Sequence, residues 1–224
     1  ITRVSATPTD ATALDFTATF NEGVSGVDSS DFTLTTSGTA AGTISSVTAV
    51  SASVYTVHLT GIAGDGTLRL DLNSSGTGIV DAGGNPVASG FTTGQSYTVD
   101  HTAPAVSSIL LASADPSSAA TVDFTVTFSE AVTGVDSADF AVTAPALTGT
   151  SASSVSGSGT TYTVTVATGT GNGSLRLDFT GNGSVIDPSG NAAPAYSAGP
   201  SFTMQGTPAV PAGLTATPGN AQVS

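Results

Sequence analysis

Residues 16–32 read FTATFNEGVSGVDSSDF, and residues 124–140 read FTVTFSEAVTGVDSADF. Two further blocks repeat in the same order: LRLD occurs at 68–71 and 175–178, and the motif Asp-x-x-Gly-Asn starts at Asp81 and Asp187. The offsets are 108, 107 and 106 residues, so the copies stay in register. A period of this length is the size of a whole small domain and far exceeds that of a solenoid repeat. We therefore expect one complete fold that is used twice.

The repeat predicts the domain boundaries. We assign residues 1–102 to unit one and residues 103–207 to unit two. The segment His101-Thr102-Ala103-Pro104 follows the last predicted strand of unit one, and proline stiffens a short connector. Residues 208–224 break the repeat and are predicted to be a linker or the start of a further domain. Tandem use of one fold favours reach or display over catalysis.

The composition excludes several classes of partner. The 224 residues carry a net charge of −13, with 16 acids, three arginines and no lysine. Such a chain repels phosphate groups, so we expect no binding to nucleic acid. No apolar run approaches the length of a membrane span, and we expect no insertion into a membrane. The chain has no cysteine, so disulfides and thiolate metal sites are excluded.

Apolar residues alternate with polar ones along most of the chain. In unit one, Leu14, Phe16 and Ala18 alternate with Asp15 and Thr17. A period of two predicts strands with one buried face. For unit one we predict strands near 2–7, 13–20, 31–36, 43–50, 54–60, 66–72 and 95–100, and almost no helix. The expected fold class is all-β, with two tandem immunoglobulin-like β-sandwiches of about seven strands each.

The repeated motifs resemble a known family. The blocks Phe-x-x-x-Phe-x-Glu-x-Val-x-Gly-Val-Asp-x-x-Asp-Phe, Leu-Arg-Leu-Asp and Asp-x-x-Gly-Asn, closed by residues 97–104, resemble the bacterial Ig-like repeats of large secreted and cell-surface proteins, often adhesins. The resemblance covers about residues 1–207, and residues 208–224 resemble the opening of a fibronectin type III domain. It implies an extracellular spacer or adhesive module, commonly part of a long array and sometimes calcium-dependent.

Twelve of the 16 acids occupy equivalent positions in the two units. Clustered carboxylates repel one another, so we expect one of two kinds of neutralising partner. The first is a structural salt bridge within each unit. Arg69 would pair with Asp31 or else Asp28, and Arg176 with Asp139 or else Asp136, and we expect Asp31 and Asp139. The second is calcium, a hard cation that binds six to eight oxygens. The calcium site is predicted between the units, and its ligands would be Asp100, Glu130, Asp136 and Asp187.

Catalysis has little support in the sequence. His58 and His101 are not repeated and are expected to be solvated, and no nucleophile motif occurs with a placed base. The main functional prediction is a non-catalytic structural or adhesive module at the cell surface or outside the cell, whose partners are neighbouring domains of the same chain. The alternative is an accessory module of a secreted enzyme that binds a glycan or a protein. Phe91 and Tyr196, beside the last loops, would then supply aromatic faces.

Overall fold

The computed structural model describes residues 1–205, so the predicted fibronectin type III start at 208–224 lies outside the described residues. The described chain is all-β, as the alternation predicted. Unit one contains nine strands: β1 (Thr2–Arg3), β2 (Ala13–Thr19), β3 (Val24–Ser25), β4 (Phe32–Thr36), β5 (Ala41–Ala49), β6 (Val54–Ala63), β7 (Gly66–Leu72), β8 (Val80–Asp81) and β9 (Ser96–Val99). Unit two, over its described residues 103–205, contains six: β10 (Val106–Leu111), β11 (Thr121–Val132), β12 (Phe140–Thr143), β13 (Ser151–Ala167), β14 (Gly173–Phe179) and β15 (Phe202–Met204).

In unit one two antiparallel sheets enclose the core. One sheet has the order β1-β2-β6-β5, and the other has the order β4-β7-β9. Phe16 in the first sheet and Leu68 and Tyr97 in the second have no exposed surface. The rings of Phe16 and Tyr97 meet edge to face with their centroids 5.0 Å apart. This ring contact joins the two sheets across the core, in a chain that has neither the tryptophan nor the disulfide typical of antibody domains.

Unit two repeats this arrangement. Its sheets have the orders β10-β11-β13 and β12-β14-β15. Phe124, Leu175 and Leu177 are completely buried at the positions that Phe16, Leu68 and Leu70 occupy in unit one. The conserved spacing of apolar residues within the chain therefore produces the same two-layer core in both halves.

The repeated Val-Asp-x-x-Asp-Phe segment forms a capped turn in each unit. The residues form short 3-10 helices at Ser29–Asp31 and Ser137–Asp139, each just before a strand. In unit two the Asp136 carboxylate accepts a hydrogen bond from the backbone N–H of Ala138 over 2.7 Å. The buried Asp139 carboxylate accepts one in return from the backbone N–H of Asp136, also over 2.7 Å. This reciprocal capping explains why both acids are repeated.

The buried residues form two separate clusters. One lies between Leu14 and Val99 and the other between Val106 and Met204. No sheet of the described residues contains strands from both clusters. These observations support a domain boundary between residues 102 and 103. The exact position of this boundary stays a prediction. None of the described helices is long and apolar enough to span a membrane.

Candidate functional site

Three acids converge where unit one ends and unit two begins. Carboxylate oxygens of Asp100, Glu130 and Asp187 lie within 4.8 Å of one another. Asp100 directly follows β9, the last strand of unit one, whereas Glu130 lies in β11 and Asp187 in a turn of unit two. These are three of the four residues predicted as calcium ligands. The cluster therefore joins carboxylates from both units.

Asp187 organises the turn of residues 187–191, which we call the docking turn. Its Oδ1 accepts hydrogen bonds from the backbone N–H groups of Ser189, Gly190 and Asn191 at 2.7–2.9 Å, and its Oδ2 accepts one from Asn191 Nδ2 at 2.9 Å. Gly190 has a φ of +108°, a conformation that favours glycine. The spacing of the Asp-x-x-Gly-Asn motif is therefore that of a closed turn around one carboxylate.

The docking turn is bonded to the end of unit one. The Asn191 amide also donates a hydrogen bond to the backbone carbonyl of Asp100 over 2.8 Å. The Ser189 hydroxyl donates to Asp100 Oδ2 over 3.3 Å, and the Ser189 carbonyl accepts from the backbone N–H of Asp10 over 3.0 Å. We call Asp10, Asp65 and Asp100 the receiving end of unit one. Side-chain and backbone groups from both units thus form the joint.

The electrostatic environment of the joint opposes ionisation of Glu130. Burial raises the pKa of Glu130, and the negative charges of Asp100, Asp187 and Asp65 raise it further. By contrast, hydrogen bonds from the Thr102 hydroxyl and from the His101 backbone N–H lower the pKa of Asp65. The neighbouring negative charges therefore favour the protonated form of Glu130. A bound proton or cation would relieve the repulsion between these carboxylates.

Asp136, the fourth predicted calcium ligand, does not join this group of acids. Its carboxylate is used by the 3-10 turn, where it accepts from the Ala138 backbone N–H. The grouping of Asp136 with the joint was therefore wrong. The sequence carried a signal for the correct role, because an aspartate three residues before another acid matches the spacing of a capping box.

Both arginines of the repeat pair with an acid of their own unit, but the predicted partners were wrong. Arg69 holds Asp71 through two hydrogen bonds of 2.7 and 2.9 Å, and Arg176 holds Asp178 in the same way at 2.8 and 3.1 Å. Residues two apart on a strand point to the same face, so each arginine reaches the acid of its own strand. The pairs with Asp31 and Asp139 do not form, because these acids are buried in the capped turns.

Both histidines contact groups of unit one, and the His58 side chain stays 41% exposed, as expected for a solvated residue. His58 Nδ1 lies 2.5 Å from Asp15 Oδ1 on the outer face of the β2–β6 pair. His101 lies at the joint, where its Nδ1 is 3.0 Å from the carbonyl oxygen of Gly64. Both rings therefore have structural partners within unit one.

The two aromatic residues considered for ligand binding differ in exposure. Phe91 is 40% exposed and lines a cavity of about 200 Å³ with Ile1, Phe20 and Leu72. Tyr196 is partly buried against the core of unit two. Phe91 is therefore the better placed of the two for contact with a ligand.

Comparison with known proteins finds a family match for the second half of the chain. Residues 100–204 match the bacterial Ig-like domain family, over the range that contains the core of unit two. Among solved structures, the chain is similar to FdeC, described as a broadly conserved Escherichia coli adhesin eliciting protection against urinary tract infections. The likeness has 16% sequence identity and a TM-score of 0.46, and it covers 92% of this chain and 63% of that one. The search of curated proteins found no match.

Proposed function

We propose that the chain is a non-catalytic structural and adhesive module of a bacterial surface or secreted protein. The match of residues 100–204 to the bacterial Ig-like domain supports this assignment. Unit one repeats the same motifs and the same two-layer core. In this proposal the module holds other parts of a large protein at a set distance and orientation.

The observation that carries the proposal is the bonded joint. A spacer transmits orientation only if its units do not rotate freely about their connector. Asn191 and Ser189 attach unit two to Asp100, and Pro104 restricts the backbone of the connector itself. Unit two thus uses side chains to attach itself to unit one. This attachment favours a spacing role for the pair over the role of two independent binding modules.

The proposal includes a calcium ion at the joint, held by Asp100, Glu130 and Asp187. The chemistry of the donor set suits this ion, since all three ligands are carboxylates and calcium prefers oxygen. Asp187 already accepts four hydrogen bonds, so Asp100 and Glu130 would provide the more accessible oxygens. The ion would offset the repulsion that raises the pKa of Glu130. The chain's own residues would continue to orient the two units.

Small-angle X-ray scattering of the purified chain tests the spacing role. We expect one extended particle whose maximum dimension is unchanged by dilution, and no hydrolysis of a panel of glycosides, esters and peptides. A broad ensemble of bent shapes would contradict the spacer. So would an activity that is lost when one acid of the joint is replaced by its amide.

A second function is favoured by one specific observation. Phe91 stays 40% exposed beside an apolar cavity, as an aromatic contact for a sugar ring would. The chain would then be an accessory module that binds a glycan or a protein. Binding to a glycan array that is lost in Phe91→Ala and retained in Tyr196→Ala would favour this function. The absence of binding by the unmodified chain would contradict the glycan form of it.

A further inference from the structure

The turn of residues 81–85 in unit one repeats most of the hydrogen bonds of the docking turn. Asp81 Oδ1 accepts the backbone N–H groups of Gly83 and Asn85, both over 2.8 Å, and Asp81 Oδ2 accepts Asn85 Nδ2 over 2.8 Å. The backbone N–H of Asp81 donates to the carbonyl of Asn85 over 3.0 Å, and the equivalent bond in the docking turn measures 3.1 Å. The turn in unit one is therefore already in the docked shape. We call it the free turn.

The two turns differ at their second and third residues, where unit two has Pro188 and Ser189 and unit one has Ala82 and Gly83, and they differ most in their surroundings. In the docking turn Asp187 is 1% exposed, and a Cβ atom added at Gly190 would lie 3.2 Å from a carboxylate oxygen of Asp10 in unit one. In the free turn a Cβ atom at Gly84 would meet nothing within 4 Å, and residues 82–86 are exposed. The carbonyl and amide groups that unit two uses for docking are thus presented to solvent by unit one.

The free turn and the receiving end lie at opposite ends of unit one. Gly66, the first residue of β7, pairs with Val99 beside Asp100. Leu72 lies at the other end of the strand, about 20 Å away at 3.3 Å per residue. Phe20 and Asn21 line one cavity with Leu72 and a neighbouring cavity with Asp81. Unit one therefore carries a docking element at one end and its acceptor at the other.

We propose that the free turn docks onto the receiving end of another immunoglobulin-like unit joined ahead of unit one. This inference rests on the proposed spacer function and names its partner. The partner would present a backbone carbonyl in the position of Asp100 to the Asn85 amide. It would also present a backbone N–H in the position of Asp10 to the Gly83 carbonyl. The same joint would then recur at each boundary of an array.

Covalent linkage is part of the proposal. The contact consists of a few hydrogen bonds, which cannot offset the entropy lost when two separate proteins associate. A short connector holds the second partner at millimolar effective concentration, which makes a weak contact sufficient. We therefore expect docking within one chain, and no dimer of separate chains through this turn.

The internal repeat provides the test chain. Residues 1–108 are fused directly ahead of residues 1–224, so that the second Ile1 takes the place that Ile109 has in the natural chain. Strand pairing supports this register, because Thr2 pairs with Thr17 while Leu110 pairs with Thr125, its equivalent 108 residues later. Superposition of the amide spectra of the fused and original chains checks that the leading copy is folded.

Disulfide trapping then reports docking, since the natural chain contains no cysteine. The test pair is Asp100→Cys in the leading copy with Gly83→Cys in the copy that follows. Ser189 carries a side chain at the position equivalent to Gly83. A Cβ atom at Gly83 would lie 3.0 Å from Asn85 Nδ2, so the Asn85 side chain must shift by a few tenths of an ångström to admit the cysteine. The positive control is Asp100→Cys with Ser189→Cys at the existing joint, where the replaced oxygens are 3.3 Å apart. The negative control combines the leading Asp100→Cys with Ser74→Cys, an exposed site outside the turn.

The rate of intramolecular disulfide formation is measured by mass spectrometry under mild oxidation. The proposal predicts that the Gly83 pair forms about as fast as the positive control and at least tenfold faster than the Ser74 pair. It is overturned if the positive control forms and the Gly83 pair is no faster than the Ser74 pair. If the positive control also fails, the existing joint is absent, and both the spacer function and this inference are wrong.

Discussion

The side-chain amide of Asn191 donates one hydrogen bond to Asp187 in its own turn and another to the backbone carbonyl of Asp100 in the preceding unit. Asn85, its equivalent, makes the local bond to Asp81 and lies exposed. The asparagine of this turn thus stabilises only its own turn in unit one, whereas in unit two it also bonds to the neighbouring unit. This pair of positions makes it possible to separate folding from docking by experiment.

Calcium should tighten the joint. We expect the Tm of the chain to rise as calcium is added between 0.1 and 3 mM, since extracellular modules bind this ion at about 10⁻⁴–10⁻³ M. Magnesium at the same concentration is the control, because it demands a more regular shell of ligands. Asp100→Asn should reduce the calcium response. A Tm that stays constant in both ions would contradict the calcium site.

Glu130→Gln should stabilise the chain near pH 7 when no divalent cation is present. Burial and the charges of Asp100 and Asp187 raise the pKa of Glu130 above its ordinary value of 4.5, so its ionised form opposes folding at neutral pH. As the pH falls through this raised pKa, the natural chain takes up a proton and regains stability, whereas the variant has no such gain. Thermal unfolding at pH 7 and pH 5 measures the difference.

Glu22→Gln is the matched control for this prediction, because Glu22 occupies the position of Glu130 in unit one. We expect a smaller change there, since no second unit contacts that end of unit one among the described residues. A Glu130→Gln chain that is less stable than the natural one at pH 7 would show that the repulsion is already relieved.

Asp136→Ala should destabilise unit two by about 0.5–2 kcal/mol, the usual range for loss of a capping side chain. The variant loses the bond from Asp136 to the Ala138 backbone N–H. Urea unfolding measures the change, and the calcium response of the Tm should stay as in the natural chain. Loss of the calcium response would indicate that Asp136 is a calcium ligand of the joint, and it would contradict the role of Asp136 as a capping residue alone.

Arg69→Met should lower the urea midpoint at neutral pH. Arg69 lowers the pKa of Asp71, whose side chain is only 10% exposed and keeps just the Thr35 hydroxyl as a partner in the variant. A carboxylate with a lowered pKa contributes stability above its ordinary value of 3.8, and this contribution is lost as the pH falls through the folded-state pKa. The natural and variant midpoints should therefore converge in acid.

Arg69→Lys provides the control for the paired geometry. It keeps the positive charge but cannot make two parallel bonds to one carboxylate. We expect a midpoint between those of the natural chain and Arg69→Met. Equal midpoints for all three chains would show that the pair does not contribute to stability.

Much of the fold could be predicted from the period of two. The segment predicted near 13–20 forms β2 at Ala13–Thr19, and 66–72 forms β7 at the same bounds. Here one face of each strand is buried, and alternation determines which residues face inward. The two-residue strands Val24–Ser25 and Val80–Asp81 were missed, because two residues are too few to show a period.

The candidate site was only partly predictable. Asp100, Glu130 and Asp187 could be grouped because strand order brings the end of one unit to the start of the next. The partners of Arg69 and Asp136 lie two residues away in the chain, whereas the predicted partners required loops that are distant in sequence to meet. The difference between Asn85 and Asn191 could not be predicted, since both asparagines hold the same place in the Asp-x-x-Gly-Asn motif and only Asn191 bonds to the adjacent unit.

Backbone ¹⁵N relaxation of the natural chain, Asn191→Ala and Asn85→Ala tests most directly whether the docking turn holds the two units together. Both substitutions remove the local bond to the aspartate of the turn, but only Asn191→Ala removes the bond to Asp100. We predict that the two units tumble as one body in the natural chain and in Asn85→Ala, and separately in Asn191→Ala. Separate tumbling in the natural chain, or equal tumbling in all three chains, would contradict the bonded joint.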